Sequence, residues 1–278
     1  MDLIDELTNI VSRAAAAILA VREGALNVRA KQDRSPVTAA DEASEAIILE
    51  GVSRTLPGVV IVSEEAFGAA PPERLGESFA LVDPLDGTRE FVSGSDEFCV
   101  NLALAADGGR LRLGIIAAPA LGLIWRTAAA GGAERLRLAP GAPVTAATER
   151  IAIRARSSPA SGIVAAVSRS HLDPATKAFL AKIPGAATLA SGSAIKLCRV
   201  AEGAADVYPR LAPVREWDVA AGDAIVSAAG GIVTAPSGEV LSYGRIAAGF
   251  LVPGFVAWGD PEAPKRLVWR PTYTHPET

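Results

Sequence analysis

Two aspartates three residues apart, Asp83 and Asp86, flank a proline and are followed at once by Gly87 and Thr88. Carboxylates at that spacing can converge on a hard cation that takes only oxygen ligands. Backbone N–H groups at Gly87 and Thr88, where the loop can tighten into a helix start, can meet an anion. The chemistry suggested is a cation and a phosphate held side by side. Asp-Pro and Asp-Gly turns also form on surfaces without any function, so the rest of the chain has to supply more carboxylates. Candidates stand at Glu64 and Glu65 after a β-branched run, and at Asp41 and Asp218 near two helix starts.

These residues need elements to carry them. Residues 79–82 form an apolar run that reads as a buried strand, stopped by Pro84, which has no N–H for a ladder. Residues 59–62 read as another strand, leading into the acidic pair. Leu3, Leu7, Ile10, Val11 and Ile18 give residues 3–22 a helical face. A second helix starts with Thr38 as its cap and Asp41 near a capping-box position, and ends at Leu56, Pro57 and Gly58. Beyond Phe91, apolar segments at 98–105, 111–117, 122–125 and 133–138 alternate with turn signals and predict an antiparallel sheet. The proline-containing stretch 139–148 divides an N-terminal α+β domain, 1–145, from a C-terminal α/β domain, 146–278. In the second, strands at 151–154, 163–167, 205–208 and 231–234 accompany helices at 174–182, 193–203 and 217–229.

Composition narrows the partners. With 27 Lys+Arg against 31 Asp+Glu in 278 residues, the net charge of −4 offers no dominant basic surface and argues against a nucleic-acid polymer. Cys99 and Cys198 lack metal-ligand spacing and read as buried, reduced thiols of a cytoplasmic protein. The acidic start is unlike a signal peptide, and no uncharged stretch reaches the ~20 residues of a spanning helix, so a soluble chain is expected.

Four strings together carry more than any one alone: S-P-V-T-A-A-D at 35–41, S-E-E at 63–65, D-P-L-D-G-T-R-E-F at 83–91 and E-W-D-V-A-A-G at 216–222. They resemble the signatures of the magnesium-dependent, lithium-sensitive phosphomonoesterases, the superfamily of inositol monophosphatase and fructose-1,6-bisphosphatase. The resemblance implies a layered αβαβα sandwich with an antiparallel sheet in the N-terminal half and an α/β C-terminal half. It implies metal ligands at Glu64, Asp83, Asp86 and Asp218, completed by the Leu85 carbonyl, for two or three Mg²⁺ ions, and inhibition by Li⁺. Asp41 and Thr88 correspond to the catalytic pair that orients and deprotonates the attacking water. Gly87 and Thr88 would bind phosphate through N–H groups, and Glu64, Leu85, Asp86 and Asp218 join them in the substrate-binding set. Direct attack by activated water suits motifs that hold no Cys or His for a covalent intermediate.

Further strings, V-S-R-S-H at 167–171, S-G-S-A-I-K-L-C at 191–198 and A-E-G-A-A-D-V-Y-P-R at 201–210, look like those of bacterial 3′(2′),5′-bisphosphate nucleotidases. These convert 3′-phosphoadenosine 5′-phosphate to AMP. By that similarity Ser193, Lys196 and Arg210 contact the non-reacting phosphate and His171 lies near adenine. Plainer roles stay open: Lys196 could be an exposed helix residue, Arg210 an ion-pair partner and Ser193 a helix cap. Cys99 stands where the family often has threonine, and Asp223 where histidine is common. A phosphatase for inositol monophosphate or another sugar phosphate is the alternative. A non-catalytic nucleotide- or metal-sensing protein is a third reading, which the complete acidic set with Asp41 and Thr88 opposes. The small phosphorylated substrate leaves a homodimer and peripheral membrane association open.

Overall fold

Apolar faces fold the first elements where the pattern predicts them. The computed structural model describes residues 2–24, 28–30, 36–68, 71–159, 161–169, 172–183 and 185–266. His171, Ser35 of the first signature and the Thr38 side chain fall outside the described residues. Helix α1 (Leu3–Glu23) buries Leu7, Ile10, Val11 and Ile18. A short antiparallel pair, β1 (Val28–Ala30) and β2 (Pro36–Thr38), leads into α2 (Ala39–Thr55), which holds Asp41 in its first turn. Then come β3 (Val60–Ser63), the single-turn α3 (Glu64–Phe67), β4 (Ser78–Asp86) and the short α4 (Thr88–Val92). A meander follows: β5 (Cys99–Ala106), β6 (Arg110–Ala118), β7 (Leu123–Thr127), β8 (Ala133–Arg137) and β9 (Glu149–Ile153).

Strands β3 to β9 make one seven-stranded sheet in sequence order. Every neighbour is antiparallel except β3 and β4, which pair in parallel. A parallel pair needs a crossover rather than a tight turn, and α3 with the segment after it supplies that. The sheet is therefore mixed rather than wholly antiparallel. The strand expected at 151–154 is its last edge, paired with β8. Along β5, Val100, Leu102 and Leu104 enter one core while Cys99, Ala103 and Ala105 enter another. With both faces covered, the strand reads as a continuous apolar run.

The chain continues through β10 (Val164–Ser168), α5 (Pro174–Leu180), β11 (Ala187–Ser191), α6 (Ile195–Ala201), β12 (Val207–Arg210) and β13 (Val214–Arg215). It ends in α7 (Glu216–Ala228), β14 (Ile232–Thr234), β15 (Leu251–Val252), β16 (Phe255–Trp258) and α8 (Ala263–Arg266). A second, five-stranded sheet runs β11-β10-β12-β16-β14, with β10 parallel to both neighbours and β16 antiparallel to both of its own. Helices α1 and α2 cover the outer face of the large sheet. Helices α6 and α7 fill the space between the sheets, and α5 and α8 pack outside the smaller one. The result is five layers, αβαβα. Helix α7 lies so close to β6 that a Cβ at Gly114 would collide with the Ala221 carbonyl. Among the described residues, no helix is long and apolar enough to cross a membrane.

Candidate active site

Pro84 does not stop its strand. Asp83 pairs with Asn101 and the ladder resumes at Asp86 opposite Cys99, so β4 spends an extra residue there. That is a bulge, where proline's missing N–H is tolerated. The freed backbone groups find other partners: Leu85 N donates to Asp83 Oδ1 at 3.0 Å, and Ser44 Oγ donates to the Pro84 carbonyl at 2.7 Å. Both aspartates thereby line one cleft of about 430 Å³, together with Glu64, Thr88 and Asp218.

Three elements deliver the acids. Glu64 opens α3, Asp83 lies on β4 and Asp218 sits in the first turn of α7, where it also accepts from Arg215 N at 2.9 Å. Glu64, Asp83 and Asp218 each offer an oxygen within 4.8 Å of the others. Ionised, each pair at that limit repels by roughly 3 kcal/mol at an effective dielectric of about 20. Burial, then the charges of Glu64, Asp86 and Asp218, push the Asp83 carboxyl well above the carboxylate range. Burial, then Asp86 and Glu64, raise Asp218 to about 7. An oxygen-only donor set with this much uncompensated negative charge fits a hard divalent cation such as Mg²⁺.

Asp86 ties the two sheets together. Its Oδ2 accepts from Ser193 Oγ at 2.5 Å, from Ala194 N at 2.6 Å and from Asn101 Nδ2 at 3.5 Å. Ser193 has φ of +51° and precedes Ala194, the N-cap of α6. Gly87, at φ +91°, caps α4; a Cβ there would stand 3.3 Å from that of Ser193, so glycine suits both the backbone and the space. Thr88 Oγ1 lies 3.1 Å from the Leu85 carbonyl and 3.4 Å from Asp41 Oδ1. Asp41 itself is 1% exposed.

Cations line the same cleft. Lys196 is buried, not displayed on its helix: Nζ donates to the Ser193 carbonyl at 2.5 Å and lies 5.4 Å from the Tyr208 ring centroid. The buried Nε of Arg210 has no hydrogen-bond partner among the described residues. Arg210, Ser168 and Tyr208 are shared with an adjoining hollow of about 660 Å³. Cys99 and Cys198 are buried, and burial raises both thiols, leaving no ready nucleophile in them.

The structure thus brings the other candidates together around one cleft, but Glu65, the second acid of its pair, is neither in the cleft lining nor in the acidic cluster, and His171 is not described. Sequence reasoning missed Asn101, Ser44 and Glu97, which accepts from Gly192 N at 2.8 Å and Arg169 Nε at 2.9 Å. Asn101 left a trace: it is a polar residue inside the apolar run of β5.

Residues 2–264 match the inositol monophosphatase family. The chain is 36% identical over 255 residues to the 3′(2′),5′-bisphosphate nucleotidase CysQ of Escherichia coli K12, covering 91% of this chain and 98% of that protein. It is 37% identical, with the same coverage, to the CysQ nucleotidase of Salmonella typhimurium LT2. Among solved structures, CysQ from Bacteroides thetaiotaomicron superposes with a TM-score of 0.75 at 30% identity, over 91% of this chain and 95% of that one. An inositol monophosphatase from Anabaena gives 0.70 at 28%, over 95% and 92%.

Proposed function

Because the chain belongs to the inositol monophosphatase family, we propose that it is a magnesium-dependent phosphomonoesterase that removes the 3′-phosphate of 3′-phosphoadenosine 5′-phosphate, leaving AMP. The observation that carries the substrate is that Lys196 and Arg210 share one cleft with the acidic cluster. The reacting phosphate is met by the cations that the acids would hold, whereas a bisphosphate has a second dianion to be met.

In this reading Glu64, Asp83, Asp86, Asp218 and the Leu85 carbonyl hold two or three Mg²⁺ ions, and Li⁺ inhibits by competing there. Bound cations neutralise the phosphate dianion, acidify water and stabilise the leaving oxygen. The chain's own residues do the rest. The Thr88 hydroxyl has one proton and two acceptors, Leu85 O and Asp41 Oδ1, so its lone pairs remain to accept from a water in the cleft. As that water's oxygen attacks phosphorus, its proton passes through Thr88 to Asp41. The P–O3′ bond breaks, and its electron pair leaves with the ribose oxygen, which takes up a proton. The N–H groups of Gly87 and Thr88, at the start of α4, orient the phosphoryl oxygens. Ser193, Lys196 and Arg210 hold the 5′-phosphate, for which an arginine fork is well shaped.

Phosphate release from 3′-phosphoadenosine 5′-phosphate, AMP and inositol 1-phosphate, each with Mg²⁺ and with EDTA, tests this. The bisphosphate should give the highest kcat/KM, and EDTA should abolish every reaction. Preference for inositol 1-phosphate would replace the substrate, and turnover in EDTA would remove the metal from the account.

A further inference from the structure

Glu64 and Asp218 arrive on different elements, yet their oxygens lie within 4.8 Å of each other and of Asp83. Ionised carboxylates that close repel, so their backbones must be held together from behind. Glu64 opens a helix of a single turn, and such a turn is too short to be stable by itself. Two contacts fix it. Glu45 on α2 accepts from Ala66 N at 3.1 Å. Phe67, three residues after Glu64, packs its ring on Trp217 with centroids 5.3 Å apart and edge-on to Phe250 at 5.6 Å. Trp217 immediately precedes Asp218, is buried, and itself lies 6.2 Å from Phe250. Arg215 closes the group. Its guanidinium sits 5.8 Å from the Phe67 ring centroid and donates from Nη1 to the Gly249 carbonyl, while its N–H holds Asp218 Oδ2. Phe250 adopts φ +58°, a conformation that a side chain rarely takes unless its surroundings hold it there.

We propose that Phe67 is a positioning residue for the metal centre: its stack with Trp217 and Phe250 sets the span between Glu64 and Asp218 and keeps both carboxylates gathered for a divalent cation. The inference rests on the reading of those two acids as metal ligands. Phe67 acts through the backbone behind the ligands rather than on cation or substrate. Ligands already gathered bind more tightly than ligands that must first be ordered.

Calorimetric titration of Mg²⁺ into the purified protein tests this without turnover. Residues that orient metal ligands typically change affinity by about 10- to 100-fold when removed. Phe67→Ala should therefore weaken Mg²⁺ binding by about tenfold or more, and Phe67→Tyr, which keeps the ring, should stay within about twofold. Phe179→Ala is the control for simple loss of packing. Phe179 forms a comparable aromatic pair with Trp258 at 6.0 Å, in the core outside the smaller sheet. It should lower thermal stability and leave Mg²⁺ affinity unchanged. Binding by Phe67→Ala within about twofold of wild type, or an equal loss in Phe179→Ala, overturns the inference. Should Phe67→Ala not fold, Phe67→Leu takes its place: a loss beyond about threefold supports the inference, and a smaller one overturns it. Wild-type protein that fails to bind Mg²⁺ sinks the metal-centre reading itself, a different result from normal wild-type binding with an unaffected Phe67→Ala.

Discussion

Thr88 and Arg210 occupy the same cleft, but they should fail in different ways when removed. Thr88→Ala takes away a hydroxyl placed between Leu85 O and Asp41 and spares the acidic oxygens. Positioned acid–base groups contribute about 10²–10⁴-fold, so kcat should fall within that range while Mg²⁺ affinity holds. Steady-state kinetics beside calorimetry reads this; a loss confined to KM would mean ground-state binding instead. Arg210→Ala should lower kcat/KM for the bisphosphate by roughly 10- to 150-fold, the equivalent of one charged hydrogen bond of ~1.5–3 kcal/mol. Inositol 1-phosphate, with no second phosphate, should be hydrolysed as before, and equal damage to both would make Arg210 a structural residue. At this scale the sequence was informative wherever residues sit in contiguous strings, as Asp83, Asp86 and Asp218 do. Phe67 was silent because a lone aromatic beside a glycine has no period. The +51° φ of Ser193 was silent too, because it depends on Asp86 more than a hundred residues earlier.

Among the elements, α7 carries more than Asp218. Burial raises the Asp223 carboxyl to about 6, partly offset by hydrogen bonds from Tyr243 OH at 2.6 Å and Ser227 Oγ at 3.0 Å. In the unfolded chain an aspartate titrates near ~3.9. Between the two values the folded state keeps a proton that the unfolded state has released, so stability falls as pH rises. The loss is complete above about pH 6 and amounts to ~3 kcal/mol for a two-unit difference. Asp223→Asn retains an acceptor for Tyr243, so it should gain stability over wild type above about pH 6 and none below about pH 4. Urea midpoints across that range would show it; the same difference at every pH would count against a buried ionisation. The helices and long strands were legible from periodicity. Strand β4 was cut short because Pro84 reads as a ladder-breaker until the bulge is seen. Strand β11 was overlooked because Ala187–Ser191 mixes apolar with polar residues over five positions and is mostly exposed, with no run to notice.

Across the whole molecule, the site exists only where the layers meet: α3 and β4 from the large sheet's side, α7 from between the sheets. Divalent cations should therefore stabilise the assembled fold and not the unfolded chain. At 100 times Kd, that linkage is worth ~2.7 kcal/mol and should appear as a rise in Tm. Asp83 is forced towards its protonated form by burial and by its acidic neighbours, so ionising it opposes folding at neutral pH. Asp83→Asn should melt higher than wild type without metal and lose most of the Mg²⁺-dependent rise. A wild-type-like Mg²⁺ shift in that variant would remove Asp83 from the ligand set. The convergence of the signatures was foreseeable because each supplies an acid. The mixed pairing of the large sheet was not, because the parallel β3–β4 pair depends on a crossover whose sequence has no strong pattern.

The central claim is met most directly by following 3′-phosphoadenosine 5′-phosphate by phosphorus NMR in the presence of Mg²⁺ and the purified protein. The account predicts that the 3′-phosphate resonance gives way to inorganic phosphate while the 5′-phosphate persists as AMP, and that EDTA stops the change. An unchanged spectrum with Mg²⁺ present, or loss of the 5′-phosphate first, would contradict it.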